Sequence, residues 1–94
     1  MTLRMYRGGR RVNPISAIQV AIIATLQANP GACLRYELRP ASCIEWSDST
    51  LESAWRKGHG GKPVLGNVAT ALVNRGLLVR EIFERERRIE YRLA

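Results

Sequence analysis

One histidine and two cysteines in 94 residues leave little room for metal or nucleophile chemistry. Cys33 and Cys43 have a spacing that fits no zinc pattern, and with His59 they do not fill a tetrahedral site. Without a secretory context, reduced thiols are expected, with a disulfide as the alternative. There is no G-x-S-x-G. Gly58-His-Gly-Gly-Lys62 lacks the spacing and the Ser/Thr of a phosphate-binding loop, so His59 reads as a turn residue. The expectation is a chain that is not an enzyme and that uses no cofactor and no metal. Aromatic residues are only 6% of the chain. Trp46 and Trp55 read as core residues rather than stacking platforms, since Trp55 shares a face with Leu51. The apolar run from Ile15 to Leu26 is interrupted by Gln19 and Thr25 and is too short to cross a bilayer. Arg10-Arg11 before it gives the look of an export signal, but cleavage near Ala32 would leave too little for a core, so a cytoplasmic protein is expected. No repeat or low-complexity segment is visible.

Lysine is scarce as well. Of 15 basic residues only Lys57 and Lys62 are lysine; the rest are arginine, against 8 acids and a net charge of +7. Arginine suits planar, bidentate contact with phosphate and guanine edges. The excess is uneven. Residues 1–14 carry Arg4, Arg7, Arg10 and Arg11 with no acid, while 15–76 hold six basic and four acidic residues and 77–94 hold five and four. The division is a basic flexible arm over 1–13, able to follow a backbone or enter a minor groove, and one domain over 14–94.

With 46% hydrophobic residues the domain can bury a small core. Asn13-Pro14 opens a helix with Ile15, Ile18, Ile22 and Leu26 on one stripe, widened by Ala21 and Ile23. Val20 lies off it, which suggests a central helix or a self-association face. Asn29-Pro30-Gly31 ends the helix. From Cys33 to Arg39, Leu34, Tyr36 and Leu38 alternate with Arg35, Glu37 and Arg39. That predicts a half-buried strand, although Leu34 and Leu38 are also spaced for a short amphipathic helix. Ala41 to Asp48 reads as an insertion loop with Ile44 and Trp46 tucked onto the core. Ser49-Thr-Leu-Glu52 has the capping-box pattern, Leu51, Ala54 and Trp55 follow at helical spacing, and Gly58 stops the run. Pro63 suits a first helical position. Val64, Leu65, Val68, Leu72 and Val73 then form an apolar face up to Gly76. Leu77 to Phe83 and Arg88 to Leu93 predict a hairpin with the polar tip Glu84-Arg85-Glu86-Arg87, with Ile89, Tyr91 and Leu93 inward.

The predicted class is α+β, in the order helix, strand, helix, helix, strand, strand. This order resembles the winged helix-turn-helix superfamily over residues 14–94. The best-matching piece is Asn67-Val-Ala-Thr-Ala-Leu-Val-Asn-Arg-Gly-Leu-Leu-Val-Arg80 with Ile89-Glu-Tyr-Arg-Leu93, similar to the recognition helix and wing of prokaryotic or viral transcription regulators. The long link between the first two helices and the glycine-rich turn at 58–61 depart from that pattern. The resemblance implies double-stranded DNA as partner, a homodimer with the first helix as candidate interface, and no membrane.

Three surfaces are candidates for contact. On helix 63–75, Asn67, Thr70, Ala71 and Asn74 lie opposite the apolar stripe. Asparagine can pair with adenine, and Thr70 and Ala71 offer methyls to thymine; a plain solvated face is the other reading. At the helix start Gly60, Gly61 and Lys62 allow backbone N–H groups to approach a phosphate, with Arg56 and Lys57 nearby and Arg75 at the far end. In the hairpin Arg85, Arg87 and Arg88 can reach a backbone, although Glu84 and Glu86 make cross-strand ion pairs a rival reading. A protein-interaction or RNA-binding module on the same fold is the alternative function.

Overall fold

The computed structural model describes residues 14–40 and 42–94, so the arm with Arg4, Arg7, Arg10 and Arg11 lies outside the described residues. Helix α1 spans Ala17–Ala28. Its start is fixed by Ser16, whose hydroxyl accepts from the Gln19 N–H while the Gln19 side chain accepts from the Ser16 N–H. This reciprocal cap explains two departures from the predicted stripe. Gln19, which seemed to interrupt the apolar run, is buried at the cap. Ile15, expected on the stripe, precedes the cap and is exposed, and Val20, expected off the stripe, is exposed as well. Ile18, Ile22 and Leu26 face the core as expected.

Strand β1 is Leu34–Glu37, so the alternation meant a strand and not a helix. It ends one residue before Leu38, which is exposed. The expected loop over 41–48 contains a second strand, β2, at Ile44–Trp46. The observed order is therefore helix, strand, strand, helix, helix, strand, strand, which corrects the predicted order by one element. Three residues are too few to show a period, and β2 is held by pairing to β1, Leu34 opposite Trp46 and Tyr36 opposite Ile44.

Helix α2 spans Ser49–Gly58. Its cap is Asp48 and not Ser49: Asp48 Oδ1 accepts from the N–H of Thr50 at 2.8 Å and of Leu51 at 3.1 Å. A carboxylate is the stronger acceptor and also meets the positive end of the helix dipole. Glu52, released from the expected capping box, accepts the Trp46 N–H at 2.8 Å and so ties α2 to the edge strand. At the far end His59 stacks on Trp55 with ring centroids 3.8 Å apart, and its Nδ1 lies 2.7 Å from the Trp55 carbonyl. Gly60 takes φ +68, and the Gly61 N–H reaches back to the Arg56 carbonyl at 2.7 Å. That is a left-handed glycine stop of the Schellman type.

Helix α3 spans Gly66–Asn74, three residues later than Pro63 predicts. Pro63 and Val64 are still extended, and Val64 bridges to Ile44. Val64 is buried by that bridge rather than by a helix face, and Leu65 occupies the cap position and stays exposed. Ala69 and Leu72 carry the buried side of α3. Its end repeats the glycine stop: Gly76 has φ +78, and the Leu77 N–H donates to the Leu72 carbonyl.

Strands β3 (Leu78–Phe83) and β4 (Arg88–Leu93) form the predicted hairpin around the turn 84–87. The sheet is antiparallel in the order β2-β1-β4-β3. All three helices contribute to one core on one face: α1 packs on β4, α2 on β2 and α3 on β3. Trp46, Trp55, Leu34, Leu72, Leu78 and Tyr91 are among its largest members. Both cysteines are free thiols, Cys33 buried and Cys43 exposed. Among the described residues no helix is long and apolar enough to cross a membrane.

Candidate nucleic-acid interface

The two faces of the sheet differ in charge. Pairing register puts Ile44, Trp46, Leu34, Tyr36, Ile89 and Tyr91 on the helix side, with Leu78, Arg80, Ile82 and Leu93 continuing the same rows. No acid is among them. The opposite, outer face holds Glu37, Glu45, Glu81 and Glu90 with Arg35, Arg88 and Arg92. The other four of the 8 acids are Asp48 and Glu52 at the start of α2 and Glu84 and Glu86 in the hairpin turn. Helix α3 has no charged residue at all.

Glu90 organises the outer face. It is 1% exposed, the least exposed residue of β4. Of the predicted inward set Tyr91 is buried and Ile89 partly so, but Leu93, at the end of the strand, is exposed, and Glu90 was not in the set. Arg88 Nε donates to it at 2.8 Å, Arg92 Nη2 donates to its other oxygen, and Arg35 Nε approaches to 3.3 Å. Arg92 also reaches Glu81 at 3.9 Å, which offsets the like charges of Glu81 and Glu90 lying directly across the strands. Burial by itself would raise the Glu90 carboxyl, but hydrogen bonds and charge from Arg88 and Arg92 outweigh it and hold the group below its ordinary value. The cover is arginine side chain rather than apolar core, which is why solvation can still help the ion cluster.

This bonding sorts the predicted cations. Arg56 is engaged by Glu52, with Glu45 at 3.8 Å, and the hydrogen bond to Glu52 raises its pKa. Arg88 is held by Glu90, and its guanidinium sits 4.5 Å over the Phe83 ring. Both sit among the acids of the outer side. Arg39 pairs with Glu37 at 2.9 Å. Lys57, Lys62, Arg80 and Arg85 have no ion-pair partner among the described residues. Arg87 turns its guanidinium to the Leu38 carbonyl at 3.4 Å and keeps its charge uncompensated. Arg75 caps the end of α3. Arg80 was absent from the predicted contacts; its signal was alternation, since it falls in the Leu78-Arg80-Ile82 row that faces the helices.

Asn67, Thr70 and Asn74 are exposed on α3 and Ala71 is half-buried, with no side-chain hydrogen bond to any described residue for the three polar ones. Their amide and hydroxyl groups are therefore available to a ligand. The expected phosphate cradle at 60–62 does not form. The Gly61 N–H is spent on Arg56 and the Lys62 N–H on the His59 carbonyl at 3.3 Å, and these residues belong to the glycine stop of α2, not to the start of α3. Among the described residues no group of His, Cys, Asp or Glu could hold a metal ion. Comparison of the chain with protein-family models, curated proteins and solved structures gives no match.

Proposed function

We propose that this is a winged helix domain that binds double-stranded DNA as a transcriptional regulator, with α3 toward the major groove and the β3–β4 hairpin as the wing. The observation that carries it is the segregation of charge: every acid sits on the outer sheet face, at the start of α2 or in the hairpin turn, while α3 and the helix side of the sheet have none. An acid-free α3 and helix side of the sheet, with uncompensated Lys62 and Arg80, suit a polyanion, whereas Glu84 and Glu86 dilute the positive charge at the hairpin turn. The extra strand β2 extends the sheet on the side away from the hairpin, so it leaves the wing geometry intact. Asn67, Thr70, Ala71 and Asn74 would read base edges, and Lys57, Lys62, Arg75, Arg80, Arg85 and Arg87 would meet the backbone. Binding of the full chain to duplex DNA, duplex RNA and single strands, titrated with salt, tests the reading. Preference for duplex DNA with a steep salt dependence supports it. Equal binding to duplex RNA points to the RNA-binding alternative, and no binding to any of them to a protein-interaction module.

A further inference from the structure

The helix side of the sheet extends past the core. Tyr36, Ile44, Ile89 and Tyr91 form the floor of an open cleft of about 400 Å3. Its other wall is the chain from Pro63 to Gly66 with Thr70 of α3. The register continues the floor onto β3, where Ile82 lies across from Ile89 and Arg80 across from Tyr91. Ile82 and Leu65 are 56% and 52% exposed, the highest values among the large hydrophobic residues described. Single exposed aliphatics need no explanation, but here Leu65 lines the cleft and Ile82 continues its floor by register, so both border one apolar surface.

Charge and hydrogen bonding specify the occupant. No acid lines this cleft, whereas the recess on the outer face is lined by Glu37, Glu45 and Glu52. Arg80, across from Tyr91 in the register, and Lys62, next to Pro63 in sequence, have no ion-pair partner among the described residues. Tyr91 is 6% exposed and lines the cleft, yet its hydroxyl makes no hydrogen bond to a described residue. That hydroxyl is open to solvent in the cleft, so it is available to donate or accept where a ligand would lie. The volume falls in the range of small-molecule sites, roughly 300–1,000 Å3.

We propose that the cleft binds a small apolar carboxylate, with its hydrocarbon on Tyr36, Ile89 and Ile82 and its carboxylate between Arg80 and the Tyr91 hydroxyl. This site does not rest on the nucleic-acid reading, although it shares Thr70, Lys62 and Arg80 with the surface proposed there. The test is an NMR titration of the full chain with decanoate, and with decyltrimethylammonium as the same chain length carrying the opposite charge. Decanoate should bind saturably and shift the amides of Tyr36, Leu65, Gly66, Ile89 and Tyr91, with the cation at least about tenfold weaker. Arg80→Glu, at an exposed position outside the core, should remove that preference for the anion, and Leu65→Asp should weaken decanoate several-fold. Resonances of Ile22 and Leu72 report that each variant is folded. Equal affinity for both amphiphiles, shifts centred on the outer face, or no saturable binding would each overturn the proposal. Failure of DNA binding in the separate salt titration would leave it standing.

Discussion

Glu90 lies under three arginine side chains, and its carboxyl is held below its ordinary 4.5 despite burial. A group with a lower pKa folded than unfolded contributes its full stabilisation above the unfolded value, and loses it as pH falls through the folded one. Glu90→Gln should therefore destabilise the domain at pH 7 by about 1–3 kcal/mol, below the cost of breaking a fully buried pair because the arginines can turn to water. The gap between parent and variant in urea unfolding should close as pH drops below about 4.5. A gap independent of pH would mean that packing, and not charge, carries the contribution. On α3 the exposed Asn67 and Asn74 are one helical face apart from the buried Ala69 and Leu72. Asn67→Ala or Asn74→Ala should cost about 1–3 kcal/mol at a cognate DNA site and little on random DNA, measured by competition binding. Equal losses on both would remove these residues from sequence reading.

Within the hairpin, the turn is closed by Arg87 at φ 55, the one positive-φ residue other than glycine described. Its N–H donates to the Glu84 carbonyl at 3.2 Å and its carbonyl accepts the Leu38 N–H at 2.6 Å, so the turn and the end of β1 fix it there. A left-handed arginine costs roughly 1 kcal/mol relative to glycine at such a site. Arg87→Gly should accordingly hold or raise the melting temperature while weakening binding to all DNA sequences, because phosphate contacts position without reading. If affinity is unchanged at low salt, the hairpin does not touch the backbone. The glycine stops of α2 and α3 belong to the same scale. Both end helices through glycine at positive φ, and the first of them accounts for the glycine-rich turn without any phosphate.

For the whole molecule, net charge and its placement set the expected behaviour. Arg4, Arg7, Arg10 and Arg11 stand in a stretch of the sequence with no acid, whereas the described cations lie partly in ion pairs. Deleting residues 1–11 should reduce the slope of log affinity against log salt by up to roughly 3–4. An unchanged slope would show that the arm points away from nucleic acid. Val20 on α1 and Ile15 just before its cap are exposed, and a two-fold dimer through that helix is the proposed assembly. Sedimentation of Val20→Glu against the parent checks it: the parent should be dimeric and the variant shifted toward monomer, whereas two identical profiles would remove α1 from the interface.

Local chemistry was enough to place α1, β1, the hairpin and its turn, because their signals are periodicity and turn residues that act within a few positions. The caps were missed: α1 is capped by Ser16 and not opened at Asn13-Pro14, and α2 by Asp48 and not Ser49. The exposed set Asn67, Thr70 and Asn74 followed from the apolar spacing of α3 alone. Three decisions needed tertiary contacts. Strand β2 exists because β1 offers a free edge, which no pattern in three residues can announce. Helix α3 starts late because Val64 gains a bridge to Ile44 that a helical Pro63 would forfeit. Which arginines remain free was also decided in space: Arg88 and Arg92 lie near Glu90 in sequence, but Arg35 reaches it only through the pairing of β1 with β4. Charge in a sequence is a sum, and the sheet sorts it onto faces by strand register, which is a property of the pairing and not of either strand by itself.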